Sequence, residues 1–408
     1  MRRVLTYICG DGGPMDEYNP SKITRQKHVP ELLFLLNSEP LTADELSKRL
    51  NISIKTVNGL LQDLLRINAV FEKDKRWYIS FPIFTKQDIH FLFEKTREPA
   101  LKLAKEIMRM EPKLKEHLSK LSCAKQVEIN KLMFAVVGCF VLDWKALKLL
   151  NERDLSLCGK KQQPGGRKYV LIGREDDIEE ELYDRMYWGS HSDEIGGITF
   201  TSFGDHTGCR YAFPDLAWSL SMLPERKKKE KSPDWFWSKV VETLNIFQKN
   251  CLIELGRILL LLNDEGPMSM YVLREKLEME KDQAESLLKM LADMRYISLS
   301  KEKARLNYPV FTAEDEEIIE DIWQALSHIV EREACEYFNS LKTELAEITP
   351  IRRGIDPREI YTDVWHWIFG WANRIMAERG LFFDPPKERE GEGRYIAWIS
   401  TRGIRPLL

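Results

Sequence analysis

The 408-residue sequence has no dominant charge sign: 61 Lys and Arg face 64 Asp and Glu, for a net of −3. A chain that wraps nucleic acid through global basicity is thereby excluded, and any phosphate contact has to come from a local patch. Cysteine is scarce, seven residues with no CxxC pair, which predicts reduced thiols and a cytoplasmic location. Long apolar runs are missing too. The longest, Leu132 to Leu142, is far short of a membrane span. The start, Met1-Arg2-Arg3-Val4-Leu5, reaches Asp11 before any apolar stretch develops, so no secretory signal is expected. Catalytic signatures are absent as well: there is no Walker-type phosphate loop, GxSxG, HExxH or GxGxxG. The expectation is a non-enzyme that needs no cofactor. What is present is apolar residue, 43% of the chain, enough to build cores in two or three domains and to exclude wholesale disorder.

An internal repeat organises the chain. A shift of 227 lays residues 29–85 on 256–312 without a gap, and 12 of 57 positions are identical, against roughly one in fifteen from average usage. The matches include Leu32, Leu33, Leu46, Leu50, Leu60, Leu61, Leu64, Pro82, Phe84 and Thr85. Asp88 then meets Asp315 and Trp144 meets Trp371, and one residue of slippage brings Tyr169-Val170 onto Tyr395-Ile396. Each copy reads as short helices and a strand pair, a long helical stretch (86–152, 313–379), and a closing hairpin (154–158 with 168–173, 381–384 with 394–400). The implied units are 21–85, 86–181, 251–312 and 313–408. A tail, 182–223, has no evident counterpart. The charged run 224–233, between Pro224 and Pro233, reads as a solvated linker or as a basic arm that grazes DNA.

The first unit carries the most specific signal. Val29–Leu36 is an apolar helix; Thr42 caps Ala43–Leu50 with Glu45 at the third helical position, a capping box. After the short turn Asn51-Ile52-Ser53, a second helix runs from Ile54 to Arg66 with Ile54, Val57, Leu60, Leu61 and Leu64 inward. Two helices so joined make a helix-turn-helix, and Ala69–Phe71 with Trp77–Phe81 supply a wing. Outward on the second helix stand Ser53, Lys55, Thr56, Asn58, Gly59 and Gln62. Asn and Gln pair with adenine edges in the major groove, and Lys reaches guanine or phosphate. Lys73, Lys75 and Arg76 on the wing would fix register on phosphate. The alternative is a winged helix used as a protein-interaction scaffold without DNA binding.

The second copy keeps the core leucines, Leu273, Leu277, Leu287, Leu288 and Leu291, and changes the surface. Its second helix opens on Glu278, Glu280, Asp282 and Glu285 with one Lys281, and acids repel phosphate. Residues 21–85 carry a net of +3 and residues 251–312 a net of −1. DNA contact is therefore expected mainly from the first copy, with Lys301, Lys303 and Arg305 a weak wing on the second.

With these residues in view, 29–88 resembles the winged helix-turn-helix domains of ArsR-type transcriptional regulators, and 256–315 a diverged second copy. The resemblance implies a mainly α fold with small β: tandem-duplicated winged helices, each followed by long helices and a β-hairpin. It implies an intrachain pseudo-dimer, since such regulators pair two subunits, and leaves open a monomer or a homodimer. It also implies a double-stranded DNA partner. The family's closely spaced metal-sensing cysteines are absent here, so metal sensing is not carried over.

Two further clusters invite a role. Tyr361, Trp365, Ile368, Trp371 and Ile375 share one helical face, with Trp144 on the matching helix and Gly138 facing Trp365. The stripe is either core or the wall of a pocket for a small apolar or aromatic effector between the copies. In the tail, His191, Asp193, His206 and Cys209 are zinc ligands by type, although their spacing matches no standard site and ordinary loop residues are the simpler explanation.

Overall fold

The computed structural model describes residues 2–177, 182, 188–205, 208–221, 234–300 and 303–401. It is a mixed α and β protein, 56% helical with several small sheets. In chain order come strand β1 (Val4–Asp11), α1 (Pro20–Thr24), α2 (Val29–Ser38), α3 (Ala43–Leu50), α4 (Ile54–Arg66), β2 (Val70–Lys73), β3 (Arg76–Ile79) and β4 (Ile83–Phe84). There follow α5 (Lys86–Lys95), α6 (Arg97–Arg109), α7 (Glu111–Leu118), a 3-10 turn (Ser122–Lys125) and α8 (Ile129–Met133). A π helix (Phe134–Lys145), α9 (Ala146–Glu152), β5 (Gln162–Gln163) and β6 (Arg167–Glu175) come next. Beyond them lie β7 (Trp188–Ile195), β8 (Ile198–Asp205), α10 (Phe213–Ser221), α11 (Asp234–Glu265), β9 (Met268–Ser269), α12 (Met270–Leu277) and α13 (Lys281–Asp293). The last elements are β10 (Ile297–Ser300), β11 (Lys303–Leu306), β12 (Val310–Phe311), α14 (Glu316–Glu344), α15 (Thr349–Arg352), α16 (Pro357–Glu378) and β13 (Tyr395–Thr401).

Local chemistry explains the first unit. Thr42 accepts from the Glu45 backbone while Glu45 reaches back to the Thr42 N–H at 2.7 Å, so α3 starts where its orphan amides are satisfied. Ser53 caps α4 through the Thr56 N–H, and Val57, Leu60, Leu61 and Leu64 are buried. Ile54 is not inward as expected but 40% exposed, because it lies in the first turn, before the helix reaches the core. The wing is tighter than expected: Asp74 and Lys75 both take positive φ, 51° and 61°, and close a two-residue turn between β2 and β3. Leu41 bridges to Trp77 as a short third strand. The same pairing recurs 227 residues later, where Met268 faces Ala304, and Val70↔Ile79 recurs as Ile297↔Leu306. The first unit has its own core, shared with Val4, Tyr169 and Leu171, whereas the second unit's core is continuous with that of the long helices.

Two sheets flank those helices, one in the order β1–β6–β4, the other β12–β13–β8–β7. The parallel pair Ile83↔Gly173 returns as Val310↔Ile399, which contains the one-residue slippage found in the sequence. The expected closing hairpins do not form: 154–158 and 381–384 are not strands, and β6 and β13 take β1 and β8 as antiparallel partners. Those partners are remote in sequence, beyond any local pattern.

The expectation that 182–223 lacks a counterpart is corrected by this pairing. Val4↔Glu175 corresponds to Ile198↔Thr401, so β8 stands to β13 as β1 stands to β6. Both strands end in Gly-Asp. A side chain on Gly10 would meet the Lys168 carbonyl at 2.4 Å, and one on Gly204 would meet the Arg394 carbonyl at 2.0 Å, so close approach at matched carbonyls requires glycine at both. The run 224–233 lies outside the described residues.

The helical layer crosses over between the halves. α6 packs on α16, and α14 packs on the π helix. Two caps do likewise. Asp88, which completes a capping box with Thr85, also accepts from the Thr349 N–H at 2.8 Å and thereby starts α15. Asp315, paired in the same way with Thr312, accepts from the Ser122 N–H at 2.7 Å. Position 122 plus 227 is 349: each half caps the other.

Candidate functional site

The residues singled out as DNA-reading candidates stand on and just before the second helix of the first unit, α4. Ser53, Lys55, Thr56, Asn58, Gly59 and Gln62 are all exposed. Gly59, mid-helix, has nothing among the described residues within 4 Å of where a side chain would begin, although glycine there costs about 1 kcal/mol relative to alanine. Ser53 and Thr56 share a hydroxyl contact at 2.8 Å as part of the cap. Lys73 and Lys75 stand exposed at the wing tip. Arg76 is spoken for: it donates to the Pro40 carbonyl at 2.8 Å and reaches Glu45 at 3.3 Å, bracing the wing against α3. In the second copy, Lys281, Asp282, Gln283 and Glu285 are exposed at the start of α13, and Lys301 lies outside the described residues.

The aromatic stripe is packed. Trp365 and Tyr361 are fully buried; the Trp365 indole donates to the Leu142 carbonyl at 2.8 Å, and the Tyr361 hydroxyl to the Ala334 carbonyl at 2.5 Å. Trp371 donates to the Phe93 carbonyl at 3.1 Å, and Trp144 to Ser190 Oγ at 2.8 Å. Gly138 leaves no room opposite Trp365, since a side chain there would meet Asn373 Oδ1 at 3.0 Å and Phe382 at 3.3 Å. None of Trp144, Tyr361, Trp365 and Trp371 lines the cavity described next.

That cavity, about 1500 Å³, opens on the polar side of the same helices. Its floor is Asp143 and Leu147 from the first half with Thr362, Asp363 and His366 of α16 from the second; β1 and β6 form one wall, β7 and α10 another. Asp143 leaves a twelve-residue π helix, a conformation otherwise found mostly as single-turn bulges at functional sites. It accepts from Ser190 Oγ at 2.9 Å, and burial pushes its carboxyl up to about 7. His366 donates through Nδ1 to the Thr362 carbonyl at 2.7 Å, which fixes its tautomer and turns Nε2 toward Asp143 Oδ1, 4.0 Å away. Burial holds this imidazole neutral, down to about 4. Tyr7 donates to Asp363 Oδ1 at 2.5 Å. Asp215 gathers His191 Nδ1 and Ser202 Oγ, both at 2.6 Å. Arg210, buried, donates to the carbonyls of Gly204 and Asp205.

Of the zinc candidates, His191 and Cys209 line this cavity, Asp193 is half-buried on β7, and His206 lies outside the described residues. Among the described residues no three His, Cys, Asp or Glu side chains are grouped so as to hold a metal ion. The cysteine expectation is corrected: Cys9 on β1 and Cys158 form a disulfide on the cavity wall, while Cys123 and Cys139 are buried thiols whose pKa burial raises. Sequence reasoning missed Asp143, Asp363, Tyr7, Arg210 and Asp215. The available signal was a lone Asp143 closing the longest apolar run. Among the described residues no helix is long and apolar enough to cross a membrane. No protein-family model, curated protein or solved structure matches the chain.

Proposed function

We propose that this chain is a sequence-specific DNA-binding transcriptional regulator, built as an intrachain pseudo-dimer of two winged-helix units that resemble those of ArsR-type regulators. The observation that carries the reading is the outer face of α4: Lys55, Asn58 and Gln62 exposed around Gly59, over which nothing is packed among the described residues. A bare glycine there lets a sugar–phosphate backbone or base edge come close, and the neighbouring amides suit adenine. The pseudo-dimer is supported by the matched registers of the two wings and by the reciprocal caps at Asp88 and Asp315, the i-to-j and j-to-i pattern of a two-fold interface. The boundary between copies then falls between β6 and β7.

A second reading, docking of a protein on the first unit, has Ile54, Leu65 and Phe71 in its favour, each between 39% and 44% exposed. Duplex selection from a random pool, followed by anisotropy titration with the selected site, separates the two. The regulator reading expects affinity that falls steeply with salt. Lys55→Glu and Asn58→Ala should each lose about 1–3 kcal/mol of specific binding, and Asp282→Ala should be neutral or tighten it. Gly59→Ala should raise the urea midpoint while weakening DNA. If no duplex is enriched, or if second-copy changes abolish binding and first-copy changes do not, the reading fails.

A further inference from the structure

We propose that Phe71 and Tyr78 on the first wing form a stacking platform for unpaired nucleobases, so that the nucleic acid this chain prefers is a duplex continued by a single-stranded extension. The duplex part of that preference rests on the function proposed above; the platform itself does not.

Alternation along β2 and β3 sorts the wing into two faces. Val70 and Trp77 are buried on one, with Glu72 opposite Trp77 on that side. Phe71, Lys73, Arg76 and Tyr78 share the other. There the Phe71 and Tyr78 rings lie stacked, 5.2 Å between centroids and 13° between planes, yet Phe71 is 44% exposed. Tyr78 covers one face of the Phe71 ring. Since the Leu41 bridge joins β3, β2 is the outer strand of the wing, and the ring's other face lies on the open side of the sheet.

The wing does not need this pair to hold its shape. In the second copy the matched positions are Ser298 and Arg305, opposite each other in the same register, and the neighbouring pair Val70↔Ile79 is kept as Ile297↔Leu306. Rings held in water on one copy only call for a ligand with a flat apolar face, and charge decides which kind. Lys73 stands about 7 Å further along the same face, and Lys75 is at the tip. Both are exposed, and neither forms an ion pair among the described residues. Arg76 is held by Pro40 and Glu45. Of the nearby acids, Glu72 is on the other face and Asp74 lies in the turn. A protein partner would have to bring an apolar group and an acid to this spot separately, whereas a nucleotide carries both in one unit. Bases of any identity stack on aromatic rings while lysines track their phosphates. Paired bases hide their faces in the helix stack, so only an unpaired stretch can use the platform. Because α4 packs on β2, that stretch would lie next to the duplex proposed to meet α4.

The test is fluorescence anisotropy of the full chain with a selected duplex in several forms: blunt, extended by unpaired thymidines on the 3′ or the 5′ side, or extended by the same length of abasic sugar–phosphate. A thymidine extension should tighten binding about fivefold or more over the blunt form. The abasic extension, its phosphates intact, should recover little of that gain. Phe71→Ala and Tyr78→Ala should each bring the ratio of extended to blunt affinity close to one, and Phe71→Trp should keep it. Phe71→Ser combined with Tyr78→Arg installs the pair that the second wing already carries in the same register, which guards against misfolding, and should act as the alanine variants do. An unaltered ratio in these variants, an abasic extension as effective as thymidine, or no gain from any extension while the blunt duplex binds would overturn the platform and leave the regulator standing. If no duplex is selected but oligothymidine binds, and Phe71→Ala abolishes that binding, the regulator reading fails and the platform stands. If neither duplex nor single strand binds, the platform is wrong and the exposed rings fall to a protein partner.

Discussion

Asp143 and His366 exchange protonation states on folding. At pH 5 the folded chain holds a protonated acid, its carboxyl pushed up to about 7, beside a neutral imidazole pushed down to about 4. The unfolded chain has the reverse, with ordinary values of 3.8 and 6.5. Each state carries one proton across the pair, so stability is flat in pH from about 4 to 6.5 as far as these groups decide it. Alone, the raised acid gives stability that is full below about pH 4 and declines as pH rises toward 7. Alone, the depressed base gives stability that is full above 6.5 and is lost as pH falls toward 4. Asp143→Asn should therefore make stability climb across this window, and His366→Gln should make it fall, each by ~3 kcal/mol. The double variant should be level again. Urea unfolding at pH 4.5, 5.5 and 6.5 checks this; parallel profiles for parent and single variants would reject it.

Among the elements, the reciprocal caps offer the sharpest stability prediction. Asp88 and Asp315 are 5% and 1% exposed, and each serves its own capping box and an amide of the opposite half. Replacing either by Ala should cost about 2–3 kcal/mol, since buried N–H groups lose a charged acceptor. Similar losses at the two sites, read from chemical unfolding, are the expected result, and a loss at one only would argue against equivalent roles. The elements that could be read from sequence are those whose determinants are local. The Thr42–Glu45 box and the leucine spacing of α4 set helix ends and faces within a few residues, and the duplication showed through Pro82, Phe84 and Thr85. What could not be read depends on distant partners. β6 looked like half of a hairpin because its real neighbour, β1, precedes it by more than 150 residues, and β8 looked unattached because its partner β13 lies far downstream.

At the scale of the whole molecule, the two halves close on each other through crossed helices and reciprocal caps, while each sheet and one disulfide lie within a single half. Cys9 and Cys158 are 149 residues apart, and joining so long a loop contributes about 2–5 kcal/mol by restricting the unfolded chain. Reduction, or Cys9→Ser with Cys158→Ser, should lower the melting temperature accordingly; an unchanged melt in dithiothreitol would count against it. The cavity was illegible in sequence for a related reason: Tyr7, Asp143, His191, Asp215 and Asp363 meet only after both halves have formed, and no spacing along the chain encodes them. The reciprocal caps also set a timetable for synthesis. Asp88 and the Thr349 amide it serves are separated by 261 residues. At about 5–20 residues per second on a ribosome, the carboxylate waits roughly 10–50 seconds for its partner. Through that interval the emerging first half carries an unfinished helical face next to α6 and the π helix. Chaperone occupancy during translation should therefore peak once the first half has cleared the exit tunnel and fall when α15 and α16 follow.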